Sequence, residues 1–143
     1  SPDALPSRPM STWTIDTSQW PIAVHAVEGS LSDRQLDDYL REASALMENH
    51  GEYVAIMDAS RIGSVSAYMR ARITDWQRQH RALVNQKCLG VVYVLSSPLL
   101  RFVTMTILLV TGLGVPYVVC ATRDEALAWA RGRVREVVPL EAR

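Results

Sequence analysis

The sequence lacks an excess of charge of either sign. Among its 143 residues, 15 basic side chains balance 15 acidic ones, so the formal net charge at pH 7 is zero. Proteins that hold nucleic acid by bulk charge carry a strongly basic surface. The composition argues against that class, and we predict no nucleic acid among the partners.

Cysteine and histidine are also scarce, with two and three residues. Cys88 and Cys120 lie far apart without metal or redox spacing, so we predict reduced core thiols in a reducing, cytoplasmic compartment. His25, His50 and His80 lack metal-like spacing to one another, to cysteine or to carboxylates. We therefore predict no metal and no cofactor, and we interpret His80 as a hydrogen-bonded core or interface residue.

Targeting and catalytic motifs are missing as well. The opening segment, SPDALPSRPM, has no basic start, apolar run or cleavage site, so we expect no signal peptide. The GLG segment at 112–114 lacks the length and the lysine of a phosphate-binding loop. No nucleophile–histidine–acid set has a spacing that would fix its geometry. We expect a protein that is not an enzyme, with an uncharacterised enzyme as a minor alternative.

One long stretch lacks any formal charge: residues 102–121 read FVTMTILLVTGLGVPYVVCA. A run of this length is what a bilayer-spanning helix needs. However, Gly112, Gly114 and Pro116 interrupt the run, and its last third is rich in β-branched residues. The pattern therefore favours a helix, a turn and a buried strand, and we predict no transmembrane segment.

Hydrophobic periodicity divides the chain into alternating elements. Two short antiparallel strands are followed by a helix and then by three strand–helix units, so we predict a single-domain layered α/β fold of order β-β-α-β-α-β-α-β-α. Because such alternation implies right-handed crossovers, the five-stranded sheet should be mixed and mostly parallel, with four helices. We expect the domain at 12–138, a flexible N-terminal tail or expression remnant at 1–11 and a C-terminal tail at 139–143.

The predicted helix at 99–111 is apolar on nearly every side. Arg101, Thr104 and Thr111 form a thin polar stripe, and Thr106 lies opposite. Such a helix should be covered all round, either by other helices of the chain or by a second copy, another protein or a lipid. We prefer a homodimer or partner interface. The residues of this predicted interface or apolar-ligand helix are Leu99, Leu100, Phe102, Val103, Met105, Ile107, Leu108, Leu109 and Val110.

Serines gather in the loops that follow two of the predicted parallel strands. Open α/β sheets place ligands at this edge, and serines at helix N-termini can hold an anion or only cap the helix; both interpretations stay open. We expect Asp58 to accept hydrogen bonds from its turn, not to act as a base. The candidate switch, anion-binding or partner-binding residues are Asp58, Ser60, Ser64, Ser66, Ser96, Ser97 and Arg101.

Three segments carry a family resemblance: AIMDAS in the third strand, the ITDWQRQHRA helix and the ending VPYVVCATRDEALAWA. In these segments the chain resembles the bacterial SpoIIAA-like proteins of the STAS superfamily, over residues 12–137. The resemblance implies four helices on a mixed sheet and a cytoplasmic regulatory or scaffold domain that acts by protein–protein contact. Some members look similar to lipid carriers, which implies an alternative: a lipid or other apolar small molecule bound between helix 99–111 and the sheet.

The resemblance also implies a phosphorylation switch. Members that have one are phosphorylated on a serine before the helix that follows the third strand, where an Asp-x-Ser turn precedes Asp-Ser-Ser-Gly. Here Asp58, Ala59 and Ser60 match the first part, and the second part is absent. Ser64 and Ser66 are the nearest counterparts of the modified serine.

Overall fold

Strands and helices alternate along the chain. The computed structural model describes residues 10–137, apart from the side chain of Thr111. The predicted tails at 1–11 and 139–143 lie outside these residues, except for positions 10 and 11. The elements are β1 Thr12–Gln19, β2 Ile22–Gly29, α1 Asp33–Asn49, β3 Tyr53–Ile62, α2 Ala67–Gln79, α3 Arg81–Lys87, β4 Cys88–Val94, α4 Pro98–Thr111, β5 Tyr117–Cys120 and α5 Arg123–Val137.

The five strands form one sheet in the order β1-β2-β3-β4-β5. β1 pairs with β2 in antiparallel fashion, and all the other pairs are parallel. Every crossover moves one strand further in the same direction, so right-handed crossovers place α1 to α4 on one face of the sheet and leave the other face to α5. The predicted mixed, mostly parallel α/β fold is confirmed.

Alternate residues of the central strands supply two core layers, because successive side chains of a strand point to opposite faces. The layer beneath α5 contains Ile22, Val24, Val54, Ile56, Val92, Val94, Ala126, Ala130 and Val134. The layer on the opposite face contains Ala23, Met47, Tyr53, Ala55, Cys88 and Val91. Both cysteines are buried and unpaired, as predicted for core thiols.

The described chain has five helices where the sequence predicted four, because the predicted second helix divides at His80 into α2 and α3. His80 has φ −107° and ψ 9°. Its Nδ1 hydrogen-bonds the Trp76 carbonyl at 2.8 Å, and its ring stacks on the Trp76 indole. A side chain that engages the backbone in this way competes with the regular hydrogen-bond ladder and bends the helix. The sequence did not indicate the break, because the stripe of the predicted helix keeps helical spacing across it, at Met69, Ile73, Trp76, His80 and Leu83.

The first hairpin also differs from the sequence prediction. The sequence pattern predicts strands at about 12–17 and 21–28, whereas β1 extends to Gln19. The Trp20 N–H donates to the Thr17 carbonyl at 3.0 Å to form the turn. The register shifts between Asp16 and Gln19, which marks a bulge. Residues 17–19 are polar and lie exposed on the edge strand. Because turns are also polar, the composition of these residues suggested a turn.

The uncharged stretch divides as the sequence predicted, into α4, a turn and β5. Gly112 and Gly114 both have positive φ in the turn, a conformation that glycine adopts without the strain of a side chain. Across the described chain, none of the helices combines the length and the hydrophobicity that crossing a bilayer requires.

Candidate functional site

Asp58 lies at the carboxyl end of β3 and accepts hydrogen bonds from two elements. Its Oδ1 accepts from the Ser60 hydroxyl at 2.6 Å and from the Ser60 backbone N–H at 3.0 Å. Its Oδ2 accepts from Arg123 of α5, at 2.8 Å from Nη2 and 3.0 Å from Nε. The predicted role of Asp58 as an acceptor in its turn is confirmed, and Arg123 is a partner that the sequence analysis missed.

The electrostatics of Asp58 favour a structural role. Burial raises the pKa of this carboxyl, but the hydrogen bonds from Ser60 and Arg123 outweigh burial and hold the pKa below its ordinary value. A general base works best when its pKa lies near the operating pH. The Asp58 carboxylate is therefore a structural acceptor and a poor base at neutral pH.

The same edge of the sheet carries a depression of about 360 Å³. Its charged side chains occur in pairs: Asp58 with Arg123, and Glu28 with Arg61 at 3.6 Å. The two pairs leave the lining without net charge, so the depression offers no electrostatic preference for an anion.

The serines between β3 and α2 stabilise their loop and cap a helix. The Ser64 N–H donates to the Ser30 Oγ at 2.8 Å, and the two hydroxyl oxygens lie 2.9 Å apart. Ser66 is the N-cap of α2 and accepts from the Met69 N–H at 3.0 Å. These contacts favour the capping interpretation over an anion site.

The polar residues just before α4 and in its first turn also hydrogen-bond to groups of the chain itself. Ser97 is the N-cap of α4 and accepts from the first turn at 3.3 Å. The Ser96 hydroxyl donates to the Ser60 carbonyl at 3.3 Å. Arg101 donates to the carbonyls of Leu95 at 2.7 Å and Ser96 at 3.0 Å. The structure thus brings Ser60 and Ser96 together beside Asp58, whereas Ser64 and Ser66 lie on a separate loop.

Helix α4 turns Arg101 and Thr104 of its polar stripe toward the protein. Arg101, Thr104 and Leu108 are its half-buried residues, and their spacing places them on one side of the helix. α4 contacts mainly β5, and the core clusters of the described chain include none of its residues. Within residues 10–137, no other helix therefore covers the outer side of α4, which leaves the alternative of coverage by neighbouring helices without support.

The outward side of α4 is apolar and exposed. Eight large apolar side chains there are between 42% and 81% accessible. We call this surface the α4 face, and it consists of Leu99, Leu100, Phe102, Val103, Met105, Ile107, Leu109 and Val110. Of the predicted interface residues, only Leu108 is half-buried against the chain. Water against such a surface is unfavourable, so the α4 face favours association.

A cavity of about 160 Å³ lies between α2, α3 and the sheet. The sequence analysis placed an apolar ligand between helix 99–111 and the sheet, but this cavity is bounded by other helices, and only Gly112 and Leu113 after α4 reach it. Its apolar and aromatic wall includes Tyr53, Met57, Trp76, Cys88, Val91 and Tyr93.

The buried Cys88 thiol and Tyr93 phenol in the wall of this cavity are uncharged at neutral pH. Burial raises the pKa of the Cys88 thiol, and it raises the pKa of Tyr93 to about 12. Three polar side chains, Gln77, Arg81 and Asn85, complete the lining. The sequence analysis did not single out these three side chains.

The comparisons with known proteins concern structure alone. No protein-family model matches the sequence, and no curated protein matches it. An uncharacterised DUF3478-family protein of Shewanella loihica PV-4 with a SpoIIAA-like fold superposes with a TM-score of 0.68 at 14% identity, covering 89% of this chain and 99% of its own. The unphosphorylated anti-sigma factor antagonist SpoIIAA gives 0.60 at 16% identity, covering 85% and 99%. The resemblance seen in the sequence is thereby confirmed at the level of the fold: the chain has a SpoIIAA-like fold.

Proposed function

We propose that this chain is a non-enzymatic regulatory domain that acts by protein contact, as a homodimer formed through the α4 face. The observation that carries the proposal is the orientation of α4, whose Arg101 and Thr104 face the protein and whose apolar side faces outward. The fold supports a regulatory role, because the structurally similar SpoIIAA is an anti-sigma factor antagonist.

The area of the α4 face suits a dimer. Because an aromatic residue covers on the order of 200 Å² and the aliphatic residues of the α4 face are smaller, the eight residues at 42% to 81% expose at most roughly 1,000 Å². The largest apolar patch of a typical monomer covers about 300–600 Å². A standard protein–protein interface buries about 800 Å² on each partner. With an area near its upper bound, the α4 face exceeds what a monomer usually exposes and matches what one partner contributes.

The chemistry of the α4 face favours a second copy of the chain over a lipid surface. Two-fold pairing brings identical patches together, so an uncharged apolar patch is self-complementary and meets no like-charge repulsion. Helices that lie on membranes carry Lys and Arg along their polar side. The one charged residue of α4, Arg101, is instead bonded to backbone carbonyls on the inner side.

Sedimentation velocity of two matched variants tests this proposal. We expect Leu109→Glu, at a residue of the α4 face that is 76% exposed, to convert the dimer to a folded monomer, because a charge would be buried in the apolar interface. Val137→Glu is the control, since Val137 is an exposed apolar residue of α5, and it should remain dimeric. If both variants sediment like the wild type and circular dichroism shows both to be folded, the α4 face is not the interface.

The cavity between α2, α3 and the sheet favours a second candidate function, the binding of an apolar small molecule. Its wall is mostly apolar with a few polar groups, as in many ligand sites. Native mass spectrometry of protein from its own cells should show a co-purifying adduct. Val91→Phe, which fills the cavity from β4, should remove that adduct. A bare chain mass for the wild type would contradict this function and leave the dimer proposal untouched.

A further inference from the structure

We propose that the cavity between α2, α3 and the sheet binds a small anionic amphiphile, with its ring-sized apolar body inside and its acidic group at Arg81. This inference rests on the second proposed function and names the class of ligand. Three features of the cavity carry it: its size, the single charge in its lining, and its aromatic wall.

The volume of the cavity limits the apolar part of the ligand. A cavity of about 150 Å³ lined by apolar side chains is known to hold benzene, and this one measures about 160 Å³. It therefore accommodates a single ring or a chain of comparable bulk. A long acyl chain would exceed this volume and extend beyond the cavity. The rings of Tyr53, Trp76 and Tyr93 supply flat apolar surface suited to an aromatic body.

The charge of the lining selects the head group. Among the described residues that line the cavity, Arg81 is the only charged one. In the part of the chain that the structure describes, the ion pairs of the neighbouring helix engage Arg72 and Arg78 and leave Arg81 without an acidic partner. A guanidinium presents several donors in a planar fork that matches a carboxylate or phosphate. Arg81 can therefore bind an anion without first breaking an internal ion pair.

Two amides stand beside this guanidinium. Gln77 lies four positions before Arg81 and Asn85 four positions after it, and all three side chains line the cavity. Amide groups can donate further hydrogen bonds to an acidic group. The inner wall offers no competing charge, because burial raises the pKa of Cys88 and of Tyr93 and keeps both neutral. The site is thus polar at one end and apolar at the other, like the ligand that we propose.

Isothermal titration calorimetry with phenylacetate and its neutral analogue phenylacetamide tests the inference on the full chain. We expect the acid to bind roughly tenfold more tightly than the amide, since hydrogen bonds to charged groups are stronger than neutral ones. Arg81→Gln should remove this preference while the amide still binds. Arg78→Gln is the matched control, because Arg78 pairs with Asp75 outside the cavity, and it should keep the preference.

The outcomes separate the inference from the function on which it rests. Equal binding of acid and amide to the wild type, or an unchanged preference in Arg81→Gln, would overturn the role of Arg81 and leave an apolar site. Tighter binding of hexadecanoate than of phenylacetate would overturn the proposed size. If neither aromatic probe binds, or if Val91→Phe leaves their binding unchanged, the apolar-ligand function itself is overturned.

Discussion

His25 is a buried titratable residue that makes the stability of the fold depend on pH. It lies on β2 beneath α1, with Nδ1 2.8 Å from the Tyr39 hydroxyl. Its Nε2 is the buried side-chain nitrogen or oxygen that lacks a hydrogen-bond partner within residues 10–137. Burial lowers the pKa of His25 from 6.5 to about 4. A protonated imidazole here would be a buried charge without an acidic partner, which is strongly unfavourable.

The shifted pKa of His25 predicts acid sensitivity. The unfolded chain takes up a proton near pH 6.5, whereas the folded chain does so only near pH 4. The free energy of unfolding should therefore fall as the pH drops from 6.5 to 4, by about 3 kcal/mol from this residue. Urea unfolding across this range should show the slope, and His25→Phe should flatten it. His50→Gln, at an exposed histidine, should retain the wild-type slope, and an unaltered slope in His25→Phe would contradict this account.

Asp58 should stabilise the edge of the sheet through its charge. Asp58→Asn removes the negative charge and leaves one acceptor oxygen where Ser60 and Arg123 use two, and we expect it to lower the free energy of unfolding by about 1–3 kcal/mol. Because the folded pKa of Asp58 is depressed, its stabilisation is complete above the ordinary carboxyl pKa and disappears as the pH falls below it. Asp75→Asn is the control, since its pair with Arg78 is exposed and should contribute less than about 1 kcal/mol. Equal effects of the two variants in urea unfolding would refute the prediction.

Helix α5 packs on the sheet through a close contact at Gly90. A β-carbon at this position would lie 2.7 Å from Cη2 of Trp129. Gly90→Ala should therefore destabilise the protein by about 1–3 kcal/mol through overpacking, as measured by urea unfolding. Gly51→Ala is the control, because nothing lies within 4 Å of a β-carbon there. Trp129→Leu should partly rescue Gly90→Ala, since contacting residues are energetically coupled; additive effects would argue against the contact.

At the scale of elements, the starts and ends of several helices could be predicted from the sequence. The side that a helix turns toward the protein could not. The capping box of Ser32 and Gln35 starts α1 as local chemistry requires. The glycines at 112 and 114 correctly separated α4 from β5. The break at His80 depends on a side chain bonding back to its own helix, which periodicity does not show. The pattern of α4 revealed a polar stripe but not that the first two residues of this stripe face inward, because most surface helices turn their polar side to water.

At the scale of the whole molecule, alternation of strands and helices was enough to predict the sheet. The contacts between distant residues were not predictable, because no spacing rule links Asp58 of β3 to Arg123 of α5. The cavity beside α2 depends likewise on residues from several elements. In the sequence, its apolar residues cannot be distinguished from ordinary core residues. Nothing in the spacing of Arg81 marks it as a residue that lines a cavity.

Dimerisation should also appear in the thermal stability of the molecule. If the folded chain pairs through the α4 face, dilution favours the unfolded state, so Tm should rise with protein concentration. Added salt should change this dependence little, because the surface is uncharged and screening acts on charges. Calorimetry of the wild type beside Leu109→Glu checks both points. A concentration-independent Tm for the wild type would argue against a folding-linked dimer.

The central claim is that the α4 face joins two copies of this chain. Multi-angle light scattering of the wild type at micromolar concentration measures this directly, because it gives the mass in solution without assumptions about shape. We predict a mass twice that of the 16.0 kDa chain. A mass of one chain throughout the micromolar range would contradict the claim.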